Sequence, residues 1–416
     1  MSRNPAKILF VCTGNASRSQ MSEAIFRQMA GDKAEVHSAG VIPSECVDPT
    51  AKKLLEGRGI DMSKATNTHV NSLTHIRFDI VVTIGAGALN HPPELPGNPR
   101  RMHWNIPDAS EELEMHGVDG ATKLTAERIE ERLKVLLKQM EEFPRSSELH
   151  HAPGISTSFV RPDRFEPAKH MPLIADAGFK CIELNCALGS KDFAYDCEDK
   201  IDELVEASKQ TGVRIYSVHS PGEMFNLPGW SYAKHRGAID MLKYFADLAV
   251  QLGADVIPVH AWPTKFMGRE EGDALLRDAL KELENHILEM PCRYAWENEF
   301  PDHTATEHLE WLRTLNPSSF GFVLDNGHCN LIGQDIGMYL PAASWRLCDL
   351  HLNDNDGTKD QHAIPGEGTF DWDGFLSKLD QADYVGPLML EIVGQHGRPD
   401  LKTILTDTMQ SLKRIT

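Results

Sequence analysis

The sequence predicts an α/β protein of two domains, the second a (β/α)8 TIM barrel. Three observations predict it. The chain has 416 residues, more than one core of ordinary size takes in. A polar stretch bounded by prolines, Pro144 to Gly154, lacks hydrophobic periodicity and reads as a linker between residues 1–143 and 155–416. Beyond it, short apolar strands alternate with amphipathic helical stretches, the pattern of repeated β/α units.

Composition narrows the class. Hydrophobic content of 41% and charged content of 25% are those of an ordinary globular protein. No apolar run approaches the ~20 residues of a membrane span. Met1-Ser-Arg-Asn-Pro-Ala-Lys7 leads straight into a strand without an apolar signal segment, so a cytoplasmic location is expected. The eight cysteines (12, 46, 181, 186, 197, 292, 329, 348) form no CxxC pair and read as reduced thiols. A net charge of −19 opposes general attraction to nucleic acid or anionic membranes. Small molecules are the expected partners, and a homo-oligomer is compatible with the sequence.

Lys7 to Val11 is a wholly apolar strand, as in a parallel sheet. It runs into Cys12, Thr13, Gly14, Asn15, Ala16, Ser17, Arg18 and Ser19, then a helical pattern from Gln20 to Ala30. Strand, tight loop and helix start aim backbone N–H groups at one spot, and the helix dipole adds positive potential there. An oxyanion such as phosphate or arsenate would sit in the loop formed by residues 13–19. Arg18 can bind two of its oxygens in a bidentate fork. The same field favours a thiolate at Cys12, a nucleophile in reach of the anion. Attack on phosphorus also needs an acid for the leaving group, and Asp108, after Pro107, is the candidate.

These residues resemble the low-molecular-weight protein tyrosine phosphatase superfamily and, within it, the arsenate reductase branch. The likeness rests on Cys12-Thr-Gly-Asn-x-x-Arg18-Ser-Gln-Met21, His37-Ser-Ala-Gly40, Asp79-Ile-Val-Val-Thr83, and His103-Trp104 through Asp108. It implies a four-stranded parallel sheet with flanking helices. It also implies Cys12 as nucleophile, Arg18 as oxyanion binder and Asp108 as general acid. Two departures stand out. Gly85 and Pro92 occupy the positions where thioredoxin-coupled reductases carry a cysteine pair, and Ala16 and Ser17 replace a loop cysteine. No internal disulfide relay is expected, so arsenate reduction would need an external thiol reductant; otherwise the domain is a phosphatase. Ala109 stands where tyrosine phosphatases place an aromatic residue, which counts against phosphotyrosine.

A mixed-charge helix, Ala126 to Phe143, closes this domain. His150-His151 in the linker reads as a solvated pair. Eight strands are then expected: Ile155–Val160, Lys180–Cys186, Val213–Ser220, Val256–Trp262, Arg293–Glu299, Phe320–His328, Trp345–Asp354 and Pro387–Val393. Helices are expected at Asp202–Thr211, Tyr232–Leu252 and Glu271–Met290. In such a barrel the site gathers at the C-terminal strand ends. Those ends carry Glu183, His219, His260, Glu297, Asp325 with His328, His351 and Glu391, while Asp360 and His362 follow in the seventh loop. Converging buried charges call for a cation. Glu297, Asp325, His351 and Glu391 form an oxygen-rich set with one imidazole, suited to Mn²⁺, Mg²⁺ or Co²⁺. Such a metal can chelate a hydroxy-ketone and stabilise an enediolate while two glutamates move a proton.

The segment resembles the xylose-isomerase-like TIM barrel superfamily, which holds sugar isomerases, epimerases and endonuclease IV. The matching stretches are Val218-His219-Ser220, Trp296-Glu297-Asn298, Leu324-Asp325-Asn-Gly-His328, His351-Leu-Asn-Asp354, His362 through Gly368 with Asp371-Trp372, and Leu390-Glu391-Ile392. In the isomerase branch the resemblance implies that Glu297, Asp325, His351 and Glu391 hold one metal. Glu297 and Glu391 would shuttle the proton and His328 would contact substrate. In the endonuclease branch His219, His260, Asp360 and His362 would complete a trinuclear Zn²⁺ site. The acidic charge and the lack of a basic, aromatic wedge favour a sugar or sugar phosphate over DNA. The leading expectation is a bifunctional enzyme: an arsenate reductase or phosphatase joined to a metal-dependent isomerase or epimerase. The alternatives are a DNA-repair phosphodiesterase in the barrel and a non-catalytic oxyanion sensor at the N-terminus.

Overall fold

The computed structural model describes residues 5–97, 99–142, 146–159, 166–186, 197–221, 232–260, 269–298, 310, 312–394 and 397–416. The chain divides into two compact units, one built mainly on Met1–Arg145 and the other on residues from Ser146 onward.

In the first unit, β1 (Ala6–Cys12), β2 (Ala34–Gly40), β3 (Ile80–Ile84) and β4 (Arg100–Trp104) form a parallel sheet in the order β2-β1-β3-β4. Alternate residues of β1 feed two cores, as a period of two requires. Ile8, Phe10 and Cys12 pack with Met21, Ile25 and Phe26 of α1 (Arg18–Ala30) and with Ile129 and Leu133. Leu9 and Val11 pack with Phe78, Val81 and Leu95. A sheet buried on both faces explains the unbroken apolar strand. The closing helix is longer than its sequence pattern: it runs Leu113–Glu142, with a non-helical break at Gly117 (φ +64°). Gly117 and Gly120 interrupt the periodicity ahead of Ala126 and hide the first turns.

The second unit is an eight-stranded parallel barrel. Its strands are β5 (Pro153–Ser156), β6 (Cys181–Asn185), β7 (Arg214–His219), β8 (Val256–Val259), β9 (Arg293–Glu297), β10 (Phe320–Asp325), β11 (Leu347–His351) and β12 (Leu388–Leu390). Strands β5 and β12 pair directly. Closure between β11 and β12 comes from a bridge at Leu352 and Leu390, with Leu352 N–H donating to Met389 O (2.8 Å) and Glu391 N–H to Leu352 O (3.0 Å). The expected helices form at Glu198–Thr211, Tyr232–Leu252 and Arg269–Ile287.

Strands end earlier than the apolar runs suggest, for local reasons. Asp325 accepts the His328 N–H at 2.8 Å and caps a helix, Asn326–Ile332, so His328 belongs to a helical first turn. Ser156 gives way to a 3-10 turn, Thr157–Phe159. Trp345 and Arg346 form the turn before β11, the guanidinium lying 4.2 Å over the Trp345 ring. Val160, Trp262 and Glu299, ends of expected strands, lie outside the described residues.

Inside the barrel, Cys181, Tyr216, Val256, Ala295, Val323, Cys348 and Met389 make one apolar layer. Two residues further along four of these strands stand Glu183, Glu297, Asp325 and Glu391, on the same inward side. Each apolar side chain gains about 1.5–3 kcal/mol on burial. An unpaired buried carboxylate costs several kcal/mol. The acidic layer therefore opposes the barrel's stability unless something else compensates it.

Candidate active sites

Cys12 ends β1 and is buried. The Asn15 N–H donates to Cys12 Sγ at 3.2 Å, and Ser19 Oγ lies 3.0 Å from the sulfur. Asn15 sits at φ +50°, in the left-handed region. Its side chain offsets that strain: Nδ2 donates to Ser19 Oγ and Ser38 Oγ, both at 2.9 Å, while Oδ1 accepts from Gln20 Nε2 (3.1 Å) and Thr68 N–H (2.8 Å). Carbonyls of Cys12, Thr13, Gly14 and Ala16 accept from the N–H groups of Val41, Ile42, Ser44 and Asp48 at 2.8–3.2 Å. With its carbonyls turned to that segment, the loop keeps amides for an anion at the start of α1. Gly40 permits the approach: a Cβ there would stand 2.8 Å from Thr13 O and 2.9 Å from Asn15 N. Ser17 precedes α1 without a side-chain cap, and its Oγ is buried with no hydrogen-bond partner among the described residues.

Arg18 donates to Ile106 O at 3.0 Å and pairs with Asp108 at 2.9 Å, so the expected oxyanion binder and acid meet side by side. Burial pushes the Asp108 carboxyl up, but hydrogen bonds from Ser110 (N–H 3.0 Å, Oγ 2.7 Å) and the Arg18 charge outweigh it, leaving Asp108 below its ordinary value. Gly85, at φ +77°, lies against Arg18: a Cβ there would stand 3.1 Å from the guanidinium carbon and collide with Nη1. The space a side chain at Gly85 would need is taken by the Arg18 guanidinium.

The barrel mouth gathers every candidate ligand read from the sequence into four sets, three of them sharing members and the set of His328, Asp360 and His362 standing apart. Within each set the ligand atoms lie within 4.8 Å of one another. The central set is Glu297, Asp325, His351 and Glu391, all buried. His351 Nδ1 lies 3.3 Å from Glu297 Oε1 and 3.2 Å from Glu391 Oε2. Its other nitrogen lies 3.1 Å from Glu183 Oε2, which also accepts from Ser217 Oγ at 3.0 Å. Glu183 also joins a set with His219 and His351, but its hydrogen bond to the imidazole orients that ring.

A second set is His219, His260 and Glu297; a third is His328, Asp360 and His362. His219 Nδ1–H donates to Ser220 O at 2.7 Å, which leaves Nε2 facing His260 Nε2 (3.3 Å) and Glu297 Oε2 (3.6 Å). His328 Nδ1–H donates to Asn298 O at 3.1 Å, and its Nε2 lies 3.5 Å from Asp360 Oδ2. His362 lies 2.9 Å from the same oxygen.

These spacings test whether a cation fits. Ligand atoms ~2.0–2.1 Å from a tetrahedral ion stand roughly 3.3 Å apart. The separations of 3.2–3.6 Å around His351, His219 and His260 are long for hydrogen bonds and near that edge length. Among the described residues Glu297 Oε2 and His351 Nδ1 are buried without a hydrogen-bond partner. The residues fit divalent cations. Without one, protons supply the counter-charge. Burial pushes His219 and His362 down, but carboxylates raise both to about 9: Glu297 and Glu183 for the first, Glu391 and Asp360 for the second. Burial raises Glu183, yet His351 holds it down at about 2.

Beneath the ligands lies a framework that charge patterning did not reveal. Asn298 clasps the Asp325 backbone in both directions (2.7 and 2.8 Å), and Asn353 Nδ2 donates to Asp325 Oδ2 at 2.9 Å. Buried Asp354 accepts from Asn355 N–H (3.0 Å), Gly366 N–H (2.7 Å), Phe370 N–H (3.1 Å) and Trp372 Nε1 (3.1 Å), folding the loop that bears Asp360 and His362. The signal for this was Asp354 after His351-Leu-Asn, followed by a glycine-rich run and a tryptophan.

The xylose isomerase-like TIM barrel family model matches residues 171–415, and that of low molecular weight phosphotyrosine protein phosphatase matches residues 7–145. Arsenate reductase 1 of Staphylococcus epidermidis is 43% identical over 101 residues, 24% of this chain and 76% of the relative. Arsenate reductase of Bacillus subtilis is 39% identical over 101 residues, 24% and 72% respectively. The fold resembles D-psicose 3-epimerase (TM-score 0.52, 16% identity, 63% of this chain and 97% of that one). It likewise resembles a 3-keto-D-glucoside 4-epimerase of E. coli (TM-score 0.52, 16% identity, 64% and 99%). The zinc-bound IOLI protein is a third such structure (TM-score 0.51, 18% identity, 64% and 96%). Among the described residues no helix is long and apolar enough to cross a membrane. The chain thus belongs to the xylose isomerase-like TIM barrel family through its larger part, and through its N-terminal part to the low-molecular-weight phosphatase and arsenate reductase family.

Proposed function

We propose that the chain is a bifunctional enzyme with an arsenate-reducing N-terminal domain and a divalent-metal-dependent sugar isomerase or epimerase in the barrel. The convergence of Glu297 and Glu391 on one face of His351 carries the barrel reading. A divalent cation held by Glu297, Asp325, His351 and Glu391 would supply polarisation of a substrate carbonyl. Glu297 and Glu391, from different strands, would remove a proton from one carbon and return one to the product. The apolar layer beneath them closes the site from below and keeps water from that side. Loading the metal-stripped protein with Mn²⁺, Co²⁺ or Mg²⁺ and following solvent-deuterium incorporation into ketoses tests this. Washed-in deuterium that disappears in Glu391→Gln supports it; no exchange with any ketose tried removes it.

For the first domain, Cys12 attacks the oxyanion held by the loop amides. Arg18 would exchange Asp108 for the anion, freeing the carboxyl to take up a proton and pass it to the leaving oxygen. With Gly85 and Pro92 where a cysteine pair would serve, an external thiol is the reductant this reading requires. It would attack the Cys12 sulfur of the adduct, the sulfur–arsenic bond would break with its electrons left on arsenic, and arsenite would leave as a mixed disulfide forms. Thiol-dependent arsenate reduction abolished in Cys12→Ser supports it. Hydrolysis of p-nitrophenyl phosphate without arsenate reduction would make the domain a phosphatase. Neither activity would leave an oxyanion sensor.

A second barrel reading rests on one observation: two further ligand sets flank the central one, and Glu297 belongs to two of the three. Three cations on one mouth suit phosphodiester hydrolysis better than proton transfer. Metal analysis decides. About three Zn²⁺ at the mouth with cleavage of an abasic-site duplex favours hydrolysis; one mouth cation with ketose exchange favours the isomerase.

A further inference from the structure

The linker histidines acquire a third partner in the fold. His150, His151 and Asp380 present ligand atoms within 4.8 Å of one another, although Asp380 lies far along the chain in the helix Phe375–Gln381. The two imidazole rings stack at 4.1 Å with 28° between their planes. On its far side the His151 ring meets Tyr384 at 6.3 Å and 23°. The His151 backbone N–H donates to Gly386 O at 2.9 Å, and the residue sits at φ +51°, an uncommon conformation for a residue other than glycine. Among the described residues His151 Nε2 is buried with no hydrogen-bond partner, and Asp380 Oδ1, at 3.9 Å, is too distant to serve as one.

We propose that His150, His151 and Asp380 form a second, separate metal site that takes a borderline transition-metal dication such as Zn²⁺, Ni²⁺ or Co²⁺. Two imidazoles and one carboxylate suit these ions and not Mg²⁺ or Ca²⁺. Stacked rings disfavour two protonated imidazoles at once. Burial, then the neighbouring His150, push His151 below its ordinary value, which keeps it a neutral ligand. An ion ~2.0–2.1 Å from each donor needs them roughly 3.3 Å apart. His150 and Asp380 are exposed and free to close that distance, while His151 is held by Tyr384 and Gly386. Water completes the shell.

The location gives the site a role. His150 and His151 immediately precede β5, and Asp380 lies on the helix leading to β12. Those two strands pair along the seam where the barrel begins and ends, with Leu388 N–H donating to Ala152 O at 2.9 Å. This is the N-terminal end of the strands, away from the mouth. An ion bound here joins the entry of the barrel to its exit and stabilises the folded state by mass action.

The test uses the full chain, stripped with chelator and titrated with Zn²⁺, as wild type, His150→Ala and Asp380→Asn. Both substitutions fall on exposed side chains away from the mouth. Each variant should bind one Zn²⁺ fewer than wild type while keeping the mouth equivalents. Zn²⁺ should also raise the unfolding temperature of wild type more than that of either variant, and Mg²⁺ should show no such difference. Equal stoichiometry in all three proteins overturns the site. A lost equivalent without any difference in the thermal shift keeps the site and overturns its stabilising role.

Discussion

The two candidate centres are built in opposite ways. The N-terminal one is contiguous: Cys12 to Ser19 form a single loop, and most of its chemistry comes from backbone amides that any sequence would supply in that shape. The barrel mouth is dispersed: its candidate ligands come from seven strand ends and one loop, and each is a side chain, most of them with a burial cost. A contiguous site is fixed by local backbone geometry and fails when that geometry is blocked. A dispersed site is fixed by strand register and fails through loss of a shared ligand or of the framework that orients it.

Substitutions at each centre sharpen that contrast. The largest effect is expected from Cys12→Ser, which removes the nucleophile and should lower arsenate or phosphate-ester turnover roughly 10⁴-fold or more, with barrel chemistry unchanged in the same preparation. Glu297→Gln comes next. Loss of a direct ligand should cost more than the roughly 10–100-fold in metal affinity typical of an outer partner. Because Glu297 belongs to two ligand sets, calorimetry should show two classes of cation weakened; one weakened class would mean that the flanking set is not a site.

Asp354→Ala removes no ligand but strands four donors, that of Asn355 buried and the others partly so, and should destabilise the barrel by about 2 kcal/mol in denaturant unfolding. It should also weaken binding at the set containing Asp360 and His362. Gly85→Ala places a methyl group at φ +77° against Arg18, and should raise the KM for the oxyanion about tenfold, with a smaller change in kcat.

The smallest effect is one of pH. In metal-stripped protein His219 and His362 hold protons up to about 9, above the ordinary value of 6.5. Their stabilising contribution is full below pH 6.5 and disappears as pH rises through 9. The unfolding temperature of stripped protein should therefore fall over that interval. Metal-loaded protein should not show this fall, because proton release favours cation binding as pH rises.

Much of this was legible in the sequence, for physical reasons that differ between the halves. Cys12, Gly14 and Arg18 lie between an apolar strand and a helix start, so spacing alone points to an anion loop. In the barrel, a charged residue ending an apolar strand signals a mouth position, which made Glu183, Glu297, Asp325, His351 and Glu391 visible. Boundaries were less legible: Phe320–His328 reads as one strand because nothing apolar breaks it, yet the Asp325 cap turns the chain into a helix. Roles within the mouth were hidden as well. Glu183 reads as a possible ligand in sequence, and the fold gives it bonds to His351 and Ser217 beside its place in a set with His219 and His351. The partnership of His150, His151 and Asp380 was out of reach, since barrel closure alone makes distant positions neighbours.

The ties between residues 41–48 and the carbonyl side of the oxyanion loop bear on protein engineering. The Cys-to-Arg stretch does not hold its curvature alone; the continuation of a neighbouring strand holds its carbonyl side, beside the bonds of Asn15. A designer who transplants the stretch by itself would carry over the reagents without their mould. Moving both segments together, with the glycine that lets them touch, is the smallest unit that should keep its shape on a foreign scaffold.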